Sequence, residues 1–147
     1  WVDIERHHEH ENNTMRCIEK LRDQGYGIVV TSPRAPEITP GTIALDKPLA
    51  FCFGTELTGA SDELMEHADH QLRIPMYGFT ESYNISVSAA ITLYTVMERL
   101  RTSDIKWRLS EKELFELKLK WTRKTVQSAA HLEEHFRRTS DPSSTDH

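Results

Sequence analysis

Two short stretches of this chain combine glycine, an acid and small hydroxyl or amide side chains in a way that could serve a ligand. The first is Phe53-Gly54-Thr55-Glu56-Leu57-Thr58-Gly59-Ala60-Ser61, which follows the apolar run Leu49-Ala50-Phe51-Cys52-Phe53. A glycine at the carboxyl end of a strand allows close approach to the backbone, and open α/β sheets bind ligands at that end. Taken alone, the stretch reads either as a cofactor loop or as an ordinary turn. It contains neither a Gly-x-Gly-x-x-Gly fingerprint nor a Walker phosphate loop. The second stretch runs Ile74-Pro75-Met76-Tyr77-Gly78-Phe79-Thr80-Glu81-Ser82-Tyr83-Asn84-Ile85-Ser86-Val87-Ser88-Ala89-Ala90. Here a helix is predicted to start near Ser82 with hydroxyl and amide groups in its first turn. Those groups can satisfy the helix's own free N–H groups or point polar atoms at a ligand, and the residues leave both readings open. His7-His8-Glu9-His10 invites a metal reading, but nothing further along supplies a matching ligand set. It reads as a solvated polar run, and no metal is expected.

The elements that must position these groups follow from periodicity. Met15, Ile18 and Leu21 recur at a spacing of three, which predicts a helix over 13–23 with Gly25 as its stop. Ile28-Val29-Val30-Thr31 reads as a buried strand, and a loop rich in proline and turn residues follows from Ser32 to Gly41. Leu49 to Phe53 is predicted as a second buried strand and Leu72-Arg73-Ile74 as a third, with a short helix capped by Ser61 between them. From Asn84 to Arg101 nearly every position is apolar or small, so this helix should be enclosed, either inside its own domain or at a subunit interface. Ser110-Glu111-Lys112-Glu113 is a capping box opening a further helix, another is predicted over 126–138, and 139–147 reads as a disordered polar tail. The alternation gives an α/β fold with a mostly parallel sheet. Three strands are few for such a sheet, and the chain opens on Trp1, so further strands are expected upstream.

The 147 residues, 37% hydrophobic and 28% charged, describe one ordinary domain with enough apolar residues for a core. The densest apolar stretch, Ile85 to Met97, is too short and too polar to span a bilayer, so no membrane association is expected. No secretory signal is visible, and with only Cys17 and Cys52 a reducing cytoplasm fits. Two Asn-x-Ser/Thr matches, at Asn12 and Asn84, carry no weight in such a setting. The net charge of −5 is unevenly spread: 106–138 holds nine Lys/Arg against five Glu. Such a balance can set a basic face over an RNA backbone, or simply solvate long helices.

Together, Phe-Gly-x-Glu-x-x-Gly-x-Ser and, some thirteen residues on, Ile-Pro-Met-x-Gly-x-x-x-Ser-x-Asn-x-Ser-Val resemble motifs 2 and 3 of the SpoU/TrmH methyltransferases, members of the SPOUT superfamily. The resemblance covers about residues 1–101 in layout. The tail from Trp107-Arg108-Leu109-Ser110 onward is similar, more loosely, to the C-terminal extension of tRNA-acting members.

The resemblance implies an α/β domain with helices on both faces of the sheet and a deep trefoil knot, over 1–105 with its N-terminal part missing, plus a helical extension over 106–138. It implies transfer of a methyl group from S-adenosylmethionine to a ribose 2′-hydroxyl of RNA, tRNA before rRNA. Residues around Thr31, Ser32, Gly54, Ile74, Met76 and Tyr83 would hold the cofactor, largely through the main chain. Tyr83 stands where family members often have Leu. Glu56, Ser82 and Asn84 match the family's polar residues near the reacting ribose and the methionine end. The family's motif 1 Asn and Arg, the Arg being the residue assigned to activating the hydroxyl, fall upstream of Trp1, and Arg6, Arg16 and Arg34 lie outside any matching motif. The chain alone is therefore expected to be inactive, and the alternative reading is a catalytically silent knotted module that binds RNA or cofactor. Family members are homodimers, so a homodimer is expected here. Because the 2′-hydroxyl separates RNA from DNA, the substrate class follows from the reaction.

Overall fold

A computed structural model describes residues 3–8, 11–35, 38–80 and 82–140. Two compact units are distinct in it: residues 4–106, and Asp3 together with residues 107–140.

In the larger unit, Asn12 starts α1 (Asn13–Asp23), its side chain accepting the Met15 N–H at 2.9 Å. Gly25, at φ 85°, turns the chain out of the helix, as the sequence predicts. β1 (Gly27–Thr31) is the middle strand, and Ile28, Val29 and Val30 are fully buried, each contributing about 1.5–3 kcal/mol. β2 (Leu49–Cys52) and β3 (His70–Leu72) flank it, both parallel, in the order β2-β1-β3. Between them α2 (Asp62–His67) starts at Ser61, whose hydroxyl accepts the Leu64 N–H at 3.3 Å.

Side chains alternate along β1. Val29 joins Ile43, Leu72 and Val96 in the core, with Val96 supplied by α3 (Ile85–Arg101). Ile28 and Val30 face the other way, and α1 and α2 both lie against β1. The result is a small parallel sheet with helices packed on it.

Three expectations need correction in this unit. β2 is half-buried rather than buried, because it is an edge strand with a neighbour on one side only. β3 lies two residues earlier than predicted: His70 and Gln71 pair with Val29 and Val30, while the Arg73 N–H turns away to the Ile38 carbonyl at 2.8 Å. α3 starts at Ile85 rather than near Ser82, since Asn84 is its cap. Of the two enclosures expected for α3, the chain's own domain does not supply one, and the subunit-interface alternative is untouched by this. Only Thr92 and Val96 are buried, whereas Leu93 is 53% and Tyr94 69% exposed, so the helix buries one stripe on the sheet and leaves the rest open.

In the smaller unit, Ser110 and Glu113 form the predicted capping box at the start of α4 (Glu111–Thr125). α5 (Ala129–Ser140) begins three residues later than expected, because Val126 still caps α4 and Ser128 turns the chain at φ 59°. Thr139 and Ser140 belong to α5 rather than to a disordered tail, and 141–147 lie outside the described residues. Arg123 bridges the two helices by donating to Glu133 at 2.6 and 3.0 Å. Asp3 takes Lys120 and Lys124 at 2.5 Å each, and these hydrogen bonds pull its carboxyl down to about 2.

Candidate functional site

Two ends of the sheet differ in what they present. At the amino end of β1, Asp69 accepts the Ile28 N–H at 2.8 Å and pairs with Arg22 at 3.2 Å and Lys47 at 3.6 Å. The Ile28 amide first, then the two cations, hold its carboxyl below the usual range. This cluster is self-contained and fixes where β1 and β3 begin. The sequence reading missed it, since Asp69 carries no motif and acts only through the fold.

Thr31 and Ser32 lie at the carboxyl end of β1, Gly54 and Glu56 follow β2, and Ile74, Met76, Ser82, Tyr83 and Asn84 lie on the chain between β3 and α3. Thr31 ends β1, and its hydroxyl donates to the Cys52 carbonyl at 3.2 Å, tying β1 to β2. Ser32 follows, its N–H bonded to the Leu72 carbonyl at 2.9 Å and its hydroxyl accepting from the Arg34 N–H at 3.3 Å. Thr31 and Ser32 therefore brace the strand ends, whatever else they contact. Burial, and then neighbouring Cys17, push the Cys52 thiol up, which makes it a poor nucleophile.

Gly54 opens a closed loop in which Thr55 and Gly59 exchange N–H···O bonds of 2.9 and 3.0 Å. A Cβ at Gly54 would stand 2.0 Å from the Gly59 carbonyl carbon and 2.1 Å from the Ala60 nitrogen. The close approach that requires glycine is thus made by the chain's own backbone, a different reason from the ligand approach read in the sequence.

That loop presents Glu56 to α3. The Asn84 side-chain amide donates to Glu56 Oε1 at 2.6 Å, while its carbonyl oxygen accepts the Ser86 N–H at 2.9 Å. One side chain thereby caps α3, the first of the two readings left open by the sequence, and joins the two motif stretches. Ile74 and Met76 are half-buried beyond β3, and Ile74 packs on the core. Ser82 is exposed and Tyr83 39% exposed. Tyr77 and Phe79, on either side of Gly78 (φ 111°), are 95% and 107% exposed. No group of metal-ligating side chains forms among the described residues, and Glu9 and His10 lie outside them. No helix among the described residues is long and apolar enough to cross a membrane.

A small parallel sheet with helices packed on it, and loops bearing glycine and amide side chains beyond its carboxyl ends, places the chain in the α/β class. The profile of the SpoU rRNA Methylase family matches residues 2–94. A Borreliella burgdorferi tRNA (guanosine(18)-2′-O)-methyltransferase is 40% identical over 133 residues, covering 90% of this chain and 59% of the relative. Among solved structures, the Aquifex aeolicus TrmH/SpoU tRNA modifying enzyme aligns at 30% identity and TM-score 0.66, over 78% of this chain and 59% of that one. An AdoMet-bound rRNA methyltransferase from Sinorhizobium meliloti aligns at 30% identity and TM-score 0.54, over 59% of this chain and 33% of that one. The chain belongs to the SpoU rRNA methylase family. It spans about three-fifths of the first of these relatives, 59% of its length.

Proposed function

We propose that this chain carries the cofactor site of an RNA ribose 2′-O-methyltransferase that uses S-adenosylmethionine, with tRNA as the preferred substrate. The observation that carries this reading is the 2.6 Å bond from Asn84 to Glu56, which joins the two motif stretches at the carboxyl ends of the sheet. The tRNA activity of the Borreliella relative and the bound AdoMet of the Sinorhizobium protein support the same reading.

The residues present fit such a cofactor. Half-buried Ile74 and Met76 offer apolar surface for an adenine ring, and the Glu56 carboxylate suits a cationic methionine end. Thr31, Ser32, Gly54, Ile74, Met76 and Tyr83 are assigned to cofactor binding, and Glu56, Ser82 and Asn84 to the reacting end. The cofactor supplies an activated methyl group on a sulfonium. A ribose hydroxyl is a weak nucleophile, so the protein's task is alignment and help with one proton. Asn84, held by the helix it caps, fixes the direction of Glu56. Ser82, two residues before Asn84, keeps an exposed side chain.

Residues 1–105 are assigned to the methyltransferase domain, with the family's trefoil knot, and 106–138 to a helical extension. A homodimer would cover the open apolar side of α3, where Leu93 and Tyr94 stand exposed. The two free cysteines suit a reducing, cytoplasmic setting.

The decisive experiment supplies labelled S-adenosylmethionine and the intact protein with total tRNA or rRNA, then assays alkali-resistant dinucleotides. Label in tRNA is expected. Cofactor binding with no transfer to either RNA would replace this reading with a silent binding module. In sedimentation, a lysine at Leu93 should dissociate the pair, and an unchanged dimer would remove α3 from the interface.

A further inference from the structure

The connection from β1 to β2, residues 32–48, has no helix among its described residues, yet Ile43 within it is buried against Val29, Leu72 and Val96. A tight turn gives it shape: the Thr42 and Ile43 N–H groups both donate to the Thr39 carbonyl at 3.0 Å. Two further carbonyls of this turn are taken by one side chain of α3. Arg99 donates from Nη1 to Pro40 at 2.9 Å and from Nη2 to Ile43 at 2.7 Å. A planar guanidinium can serve two fixed acceptors together, which a lysine ammonium on a flexible stem does less well.

The same connection grips the chain just after β3. Ser32 donates its N–H to the Leu72 carbonyl at 2.9 Å, and the Ile38 carbonyl accepts the Arg73 N–H at 2.8 Å. Consecutive residues, Leu72 and Arg73, are therefore held from the β1–β2 connection. The next residue is Ile74, packed on the same core, and Met76 lies two further on.

We infer that Arg99 is a positioning residue for the cofactor-binding segment 74–76. It acts through the 39–43 turn and the Ile38–Arg73 bond, and touches neither cofactor nor substrate. Fifteen residues of helix separate it from Asn84, roughly 22 Å at 1.5 Å per residue. α3 thus meets the site twice: through its cap at Glu56, and through its last turns by way of the loop.

The inference rests on the cofactor reading above, and the test keeps the two apart. Intact parent, Arg99→Ala, Arg99→Lys and Arg101→Ala proteins are titrated with S-adenosylmethionine by calorimetry. Arg101 pairs with Glu98 on the exposed side of the same helix and controls for charge. Arg99→Ala should weaken cofactor binding about tenfold and Arg99→Lys by less, with Arg101→Ala unchanged. RNA affinity should move less than twofold in all of them. Hydrogen exchange at the Arg73 amide should speed up in Arg99→Lys, a readout that also serves if Arg99→Ala does not fold. A parent that binds no cofactor sinks the cofactor reading. A parent that binds it, with folded Arg99 variants that match it in affinity and in Arg73 exchange, sinks the role of Arg99 alone.

Discussion

The amino and carboxyl ends of this three-stranded sheet use polar residues for opposite purposes. At the amino end, Asp69 spends its oxygens on Ile28, Arg22 and Lys47, and the cluster is satisfied within the fold. At the carboxyl end, Glu56 and Asn84 meet each other on an exposed surface. One end is a closed foundation, and the other keeps charge and amide where a ligand can reach them. On the proposed function a ligand would constrain side-chain identity at the second end, whereas the first end needs only a carboxylate in the right place.

The largest effect that would test this contrast is at Gly54, where the carboxyl end is as tightly built as any core. Gly54→Val forces a side chain into the Gly59–Ala60 backbone and should cost about 3 kcal/mol or more in denaturant unfolding. Loss of cofactor binding in that variant would report the collapsed loop as much as the pocket. Wild-type stability would show that the loop opens freely and would break the picture of a closed turn.

Next comes Asp69→Asn, which should cost about 1.5–3 kcal/mol near neutral pH. The folded carboxyl titrates below its unfolded value, so its contribution is complete above the unfolded pKa and disappears as pH falls through the folded one. The gap between parent and variant should therefore be full above about pH 5 and narrow as pH falls below the unfolded value of about 3.9. A gap that stays constant with pH would assign the loss to packing instead.

The smallest stability effect is expected at Glu56→Gln, below about 1 kcal/mol because the pair is exposed. Methyl transfer should nonetheless fall roughly tenfold or more. A large loss of stability with activity retained would reverse the contrast, making the carboxyl end a second foundation.

Much of this organisation is legible in the residues. Short-range chemistry announces itself: the Ser110–Glu113 box, the Ser61 cap, the Gly25 stop and the apolar strand Ile28–Val30 all stand where the sequence puts them. What fails depends on partners distant in the chain. β3 begins at His70 because Asp69 is bonded to Ile28, and the local apolar pattern around Leu72 and Ile74 holds no trace of that. The all-round apolar pattern of α3 likewise does not say which face the sheet takes, and only Thr92 and Val96 are buried by this chain. Glu56 and Asn84 were recognisable by type and spacing, while their hydrogen bond, 28 residues apart in the chain, was not.

The parallel order β2-β1-β3 also governs how the molecule reaches its native state. Gly27 pairs with Leu49 and Val29 with His70, so strand partners lie 22 and 41 positions apart. No hairpin can seed this sheet, and each pairing must close a long loop before any ladder bond rewards it. Until both neighbours arrive, the run Ile28-Val29-Val30 stands as an unprotected β-branched edge, open to pairing with another nascent chain. The step that ends this exposure is the docking of β3, and Asp69, bonded to Ile28 through both its side chain and its N–H, is the residue placed to set its register.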